Sequence, residues 1–471
     1  MTRDITPYPA YKDSHLPWLG LIPQHWDVER TKARIANIVE PASERRLGEP
    51  YIALEHVESW TGIIRDSMPD TEFDSQVKRF HTGDVLFGKL RPYLAKVALP
   101  RTGGICVGEF FVLRPRHPEV VLASYLSLLL RAQPIIDIIN SSTFGAKMPR
   151  ADWQFVGSLQ LAFPPLDEQA AIVRYLEHAS QHVRRYLRTQ LQLISLLREE
   201  KQMIIQSAVT RGIDPNAPLT ASGVAWLGDL PSHWDIVRLG AVLRERGESN
   251  DDLKVTEVLS VLRERGVIPY AEKGNIGNKK SDDITRYKIV RPNDIVVNSM
   301  NVIIGSVGLS QYEGCLSPVY YVLTRRNEYD DPQYLNAYFQ TKLFQRSLVR
   351  IGYGILPHRM RIPMSLLKCE PFPRPPASEQ RDIVRYIGEA TSRVDATIEH
   401  AQRQAILIKE YHSRLIADVV TGKLDVREVA ANLPEESSRE EVFLEGEELF
   451  AEDGLEEDDS GFEASLEEVE A

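Results

Sequence analysis

Cysteine is scarce in this chain. Three thiols in 471 residues, Cys106, Cys315 and Cys369, form no Cys-x-x-Cys pair, which excludes a disulfide scaffold and a cysteine-built zinc site and leaves buried, reduced thiols as the expectation. Long hydrophobic runs are also missing. Nowhere do about 18 apolar residues follow one another, so no membrane-spanning helix is expected. No cationic leader with an apolar stretch behind it opens the sequence, and a cytoplasmic location is expected. Signature chemistry is absent too: there is no G-x-x-x-x-G-K-[ST] phosphate loop and no H-E-x-x-H zinc motif. Phe163-Pro-Pro lacks the amide with which an adenine methyltransferase holds its target amine. Gly274-Asn-Ile-Gly277, ahead of Lys279 and Lys280, reads as a plain turn more readily than as a phosphate clamp. A non-catalytic protein with no metal and no cofactor is expected.

Positive charge is short overall, 56 Lys and Arg against 67 Asp and Glu, for a net charge of -11. The deficit is local. From Asn432 to Ala471 there are 17 acidic residues and one basic residue, Arg439, so setting aside this -16 leaves residues 1 to 431 at +5. A block of like charge reads as a disordered, solvated tail. The mildly basic body permits a nucleic-acid partner.

What the chain does have is a repeat. Trp18 opens "WLGLIPQHWD" and Trp226 opens "WLGDLPSHWD"; "TGDVLFG" at Thr82 returns as "PNDIVVN" at Pro292; "FPPLDEQAAIVRYL" at Phe163 returns as "RPPASEQRDIVRYI" at Arg374. A period of about 210 residues is domain duplication, not a solenoid. The edges of the two copies match closely. Their middles, about 40 to 160 and 248 to 370, share only a pattern of short apolar runs and turns. This predicts an α+β fold with one scaffold and two different surfaces.

Each copy closes on a helix. No Pro or Gly interrupts Asp167 to Thr210, and only Gly388 interrupts Ala377 to Thr421. Pro-Pro precedes each stretch, and Arg211-Gly212 or Gly422-Lys423 ends it, as helix boundaries should. Apolar residues recur at heptad spacing from Val173 through Ile194 to Ala208, and from Val384 through Ile398 to Val419. That spacing favours a coiled-coil seam, with antiparallel pairing of the two helices expected and the polar Ser180, Gln190, Lys201 and His412 fixing register. The expected organisation is a first globular domain over 1–165, a helix over 166–212, a second domain over 213–376, a helix over 377–428 and an acidic tail over 429–471.

The Trp-Leu-Gly…Pro-x-His-Trp phrase, the Pro-Pro-x-x-Glu-Gln helix start and the ending Val420-Thr-Gly-Lys-Leu-Asp-Val426 resemble the specificity subunit of type I restriction-modification systems, over residues 8 to 428. The resemblance implies two target recognition domains, each reading half of a split double-stranded DNA sequence. It implies long helices that space these domains and bind methyltransferase subunits, two per chain. It also implies adenine methylation, and cleavage, by partner subunits, with restriction or translocase subunits as further partners. A scaffold whose two domains bind protein partners is the rival reading.

On the DNA reading, lysines and arginines of the middle segments grip phosphates, while Arg, Asn and Gln read base edges. The candidates are Lys78, Arg79, Lys89, Arg91, Lys96, Lys147 and Arg150 in the first copy. In the second they are Lys279, Lys280, Arg286, Asn298, Asn301, His358, Arg359 and Arg361. The loops "STFGAKMPR" at Ser142 and "GYGILPHRMR" at Gly352 occupy equivalent places, and each combines an aromatic, a Gly and basic residues.

Overall fold

The computed structural model describes residues 5–44, 46, 48–65, 77–145, 147–263, 265–274, 279–354 and 360–434. The acidic stretch beyond 434, Asn275 to Gly277 of the glycine loop, and the candidates His358 and Arg359 lie outside the described residues. The chain forms two compact units. Among described residues the first takes 5–188 and 403–434, and the second takes 189–402. Each unit therefore holds the start of one long helix and the end of the other.

The strands of the first unit include β1 (Asp27–Arg30), β2 (Ile35–Ile38), β3 (Val77–Phe80), β4 (Val85–Gly88), β5 (Val97–Ala98), β6 (Gly104–Val107), β7 (Phe110–Pro115) and β8 (Gln160–Phe163), with the short Pro41–Ala42 and Tyr51–Ile52 flanking β3 and β6. Its helices include α1 (Ala123–Arg131), α2 (Gln133–Ser141), the short α3 (Trp153–Ser158) and the 46-residue α4 (Leu166–Arg211). The second unit adds β9 (Asp235–Arg238), β10 (Leu243–Glu245), β11 (Lys288–Val290), β12 (Ile295–Asn298), β13 (Val307–Leu309), β14 (Gly314–Leu316), β15 (Tyr320–Arg325) and β16 (Pro371–Arg374). With these go α5 (Pro332–Phe339), α6 (Lys342–Ser347), α7 (Met364–Leu367), the 44-residue α8 (Ala377–Val420) and α9 (Arg427–Ala431), the last belonging to the first unit.

The central sheet has the order β2–β7–β4–β5 in one unit and β10–β15–β12–β13 in the other, and each leading segment adds a two-stranded pair, β1 with β8 and β9 with β16. Both copies build the same turn before the central strand. Gly83 (φ 89°) and Asn293 (φ 70°) take the left-handed conformation that Gly and Asn tolerate best. The next residue, Asp84 or Asp294, is buried and accepts a fork from the arginine of a neighbouring segment, Arg114 at 2.6 and 2.7 Å or Arg246 at 2.9 and 2.9 Å. The second sheets differ. In the first unit β3 and β6 lie inside a four-stranded sheet, whereas β11 and β14 pair alone.

The repeated phrases meet in space. Trp26 donates its indole N–H to Glu168 Oε1 at 2.9 Å, His25 Nε2 lies 2.7 Å from Glu168 Oε2, and the Tyr8 hydroxyl also donates to Oε1. In the second unit Trp234 donates to Glu379 Oε1 at 3.1 Å and His233 Nε2 lies 2.8 Å from Oε2. The neighbouring glutamines seal the proline turn: Gln169 donates to the Pro164 carbonyl and Gln380 to the Pro375 carbonyl, both at 2.9 Å. His-Trp and Glu-Gln are thus the two halves of one internal clasp in the first turn of each long helix, where an acid also complements the helix dipole.

Pairing of the long helices is visible inside each unit. Ser180 meets His412 at 2.9 Å and Tyr186 meets Gln404 at 2.7 Å in the first. In the second, Lys201 reaches Asp395 at 2.6 and 2.8 Å while Ile194 packs with Val394, Ile398 and Ala401. Rising numbers on one helix meet falling numbers on the other, so the pairing is antiparallel. None of the heptad positions is exposed. Gly212 (φ 74°) and Gly422 (φ 78°) end the two helices, as a left-handed cap requires. One boundary differs from the sequence expectation of a tail from 429. Residues 427–431 form α9, and Ala430 and Leu433 pack on the first unit's core, because an apolar edge precedes the acidic run.

Candidate nucleic-acid interface

The candidate cations divide by what already holds them. Lys78 on β3 donates to the Phe110 carbonyl at 2.8 Å, and burial, with Lys89 nearby, lowers its pKa. Lys288 on β11 does the same to the Tyr320 carbonyl at 2.9 Å. The offset of 210 between these lysines and between the two acceptors marks a scaffold contact, and Lys288 was a signal legible in the sequence. Arg79 holds Glu49 at 3.0 and 3.2 Å and the Glu44 carbonyl at 3.2 Å, and the Arg79 hydrogen bond lowers the Glu49 pKa. Lys96 donates to the Leu54 carbonyl at 2.7 Å, its pKa lowered by burial. Asn298 accepts the Met300 amide at 3.0 Å, and Asn301 is buried. These side chains serve the fold in the unbound protein.

A second group faces solvent. Arg91, Lys147, Arg150, Lys279, Lys280, Arg286 and Arg361 are exposed, and Lys89 is half-buried. Lys280 sits where its amide donates to the Tyr270 hydroxyl at 3.0 Å. Arg150 has an ion pair with Glu109 at 3.1 and 3.3 Å, yet its side chain is 47% exposed. A surface pair of that kind contributes little and yields readily to an incoming anion.

At their described ends the two loops singled out in sequence are closed as hairpins by the same antiparallel bridge. Phe144 and Arg150 exchange backbone hydrogen bonds of 3.3 and 3.1 Å; Tyr353 and Arg361 exchange two of 2.9 Å. The following residue ties each hairpin to the end of the central strand, Ala151 to the Lys89 carbonyl at 2.8 Å and Ile362 to the Ser299 carbonyl at 2.9 Å. A glycine of positive φ follows each ring, Gly145 at 94° and Gly354 at 142°. Each ring is left in solvent, Phe144 at 75% and Tyr353 at 68% exposure. In the first unit Arg91 joins through its amide to the Pro149 carbonyl at 2.8 Å. Lys89, Arg91, Lys147 and Arg150 thereby belong to one pair of linked loops. An open cleft of about 620 Å³, lined by Phe144, Asp152, Gln154 and Phe155 among others, lies beside the ring. No group of acids, histidines or cysteines able to hold a metal occurs among the described residues. Among them, too, no helix is long and apolar enough to cross a membrane.

No family model matches the chain. It is 24% identical over 186 residues to the type I restriction enzyme EcoDI specificity subunit of Escherichia coli, a match covering 36% of this chain and 39% of that protein. It is 22% identical over 307 residues to the MjaVIII specificity subunit of Methanocaldococcus jannaschii, covering 61% and 68%. Thus the alignment with the first of these relatives spans well under half of its length. A solved chain from a study of complex assembly and conformational transition of the type I restriction-modification system superposes with a TM-score of 0.61 at 22% identity, covering 85% of this chain and 98% of that one. That likeness bears on the fold, and the sequence matches bear on descent. The chain is a homologue of the type I restriction enzyme specificity subunits.

Proposed function

We propose that this chain is the non-catalytic DNA-recognition subunit of a type I restriction-modification complex. Each unit reads one half of a bipartite duplex target, and partner subunits carry out adenine methylation and cleavage. The observation that carries the reading is the matched hairpin. Two units that differ over most of their middle surface keep an exposed aromatic, a glycine and an exposed arginine at the same place. Phosphates supply the salt-dependent affinity through residues such as Lys89, Arg91, Lys147, Arg150, Lys279, Lys280, Arg286 and Arg361, and base edges supply specificity. His358 and Arg359, which stand just before Arg361 in the sequence, remain candidates with them. The paired helices set the gap between half-sites and dock two methyltransferase subunits. Leu196 and Leu407, separated by 211 residues and 63% and 62% exposed, are apolar positions suited to that docking.

The test is a shift of duplex DNA by the full chain with its methyltransferase partner across a salt series, alongside a map of methylated adenines with and without this gene. Salt-dependent binding and loss of methylation at a split sequence are expected. A complex that assembles with protein partners yet leaves both readouts unmoved would favour the scaffold reading instead.

A further inference from the structure

We infer that the Phe144 and Tyr353 rings are wedges that stack on a base face in the duplex, one in each half-site, and that they do so regardless of base identity. The inference rests on the DNA-recognition reading above and adds to it how each unit engages the base stack. Phe144 and Tyr353 leave 75% and 68% of their surface in water. Among the described residues neither ring belongs to a packed core. Each is instead presented by backbone: a two-bond bridge to an arginine, a following glycine at positive φ, and an anchor to the end of the central strand. The hairpins are not simple copies, because five residues lie between ring and arginine in the first and seven in the second. What survives that change in loop length is the ring, the glycine and the arginine.

The shared character decides between two roles for an exposed ring. A ring that read a thymine methyl in the groove would belong to one sequence, and units reading different half-sites would not both need it. Stacking is tolerant of sequence, since every base has a π-face. A wedge between base steps also partly unstacks the duplex, which lowers the cost of extruding a neighbouring base for chemistry by a partner subunit. The arginine beside each ring is placed to hold phosphate while the ring enters.

Binding sites are first selected with the full chain and its methyltransferase partner from a randomised duplex library. Duplexes of the selected sequence then carry 2-aminopurine at successive positions of each half-site. The unaltered complex should brighten the probe at one step per half-site. Phe144→Leu should abolish the signal in one half-site only, and Tyr353→Leu in the other. Each should weaken binding roughly five- to hundredfold with no change in the slope of log K against log salt. Phe144→Trp should retain the signal. Arg150→Ala should lower that slope instead. Because both rings are exposed, thermal unfolding of the leucine variants should match the parent, so a binding loss is not a folding loss. Specific binding with an unmoved probe signal, or a leucine variant that changes the salt slope, would overturn the wedge alone. Absence of salt-dependent DNA binding by the unaltered complex would overturn both readings.

Discussion

At the scale of single residues, one carboxylate in each unit performs the joining. Glu168 is 2% exposed and accepts from Trp26 and Tyr8 and pairs with His25, while Glu379 is 23% exposed and serves Trp234 and His233 among the described residues. Burial and Glu168 together hold the Tyr8 phenol protonated far above its ordinary range. Removing an acceptor costs most where water cannot replace it. Glu168→Ala should therefore destabilise the first unit by about 2–4 kcal/mol, and Glu379→Ala should destabilise the second by about 1 kcal/mol. Urea unfolding followed by tryptophan fluorescence reports on both, because Trp26 and Trp234 are the donors. Equal losses, or a larger one for Glu379→Ala, would contradict the burial argument.

At the scale of elements, the helix pair carries a titratable group inside its seam. His412 on α8 hydrogen-bonds Ser180 on α4, and burial, with Arg184 and Arg131 adding repulsion, pushes its pKa down to about 4. An unfolded chain takes up a proton at such a histidine near pH 6.5. Above that pH both states are neutral and the group leaves stability unchanged. Between about 6.5 and 4 only the unfolded state is protonated, so the folded state should lose about 3 kcal/mol as pH falls, with no further loss below about 4. His412→Gln should flatten the dependence of thermal unfolding on pH across that window relative to the parent. Parallel pH profiles for the two proteins would show that the seam histidine carries no such penalty.

At the scale of the whole molecule, charge and packing separate at the end of the chain. Ala430 and Leu433 belong with the first unit's core, and Arg427 stacks over Tyr8 while pairing with Asp425. The acidic residues begin just after, at Glu435. Truncation before Glu435 should leave unfolding unchanged and raise affinity for non-specific duplex DNA at low salt, because a repelling charge of -16 is gone. Truncation before Arg427 should lower the melting temperature, since it strips packed residues. If the longer cut, before Arg427, were harmless to folding, the contacts of α9 would have no energetic weight.

Sequence alone determined whatever is written locally. The duplication lay in repeated words, and the helix boundaries in Pro-Pro and Gly, because those residues restrict the backbone wherever they stand. The seam lay in a heptad, because side chains a turn apart share a face. The equivalence of the two loops was also legible, since aromatic and glycine keep their place. Tertiary structure decided which charges were occupied. Arg79 and Lys96 are indistinguishable in sequence from Lys147 or Arg361, yet a carboxylate or carbonyl distant along the chain, Glu49 or Leu54, engages each of the first two. The partnership of His25-Trp26 with Glu168 was equally hidden, although both phrases were plainly repeated. A hydrogen bond across 142 residues depends on where the fold returns the chain, and spacing along the sequence carries no record of it.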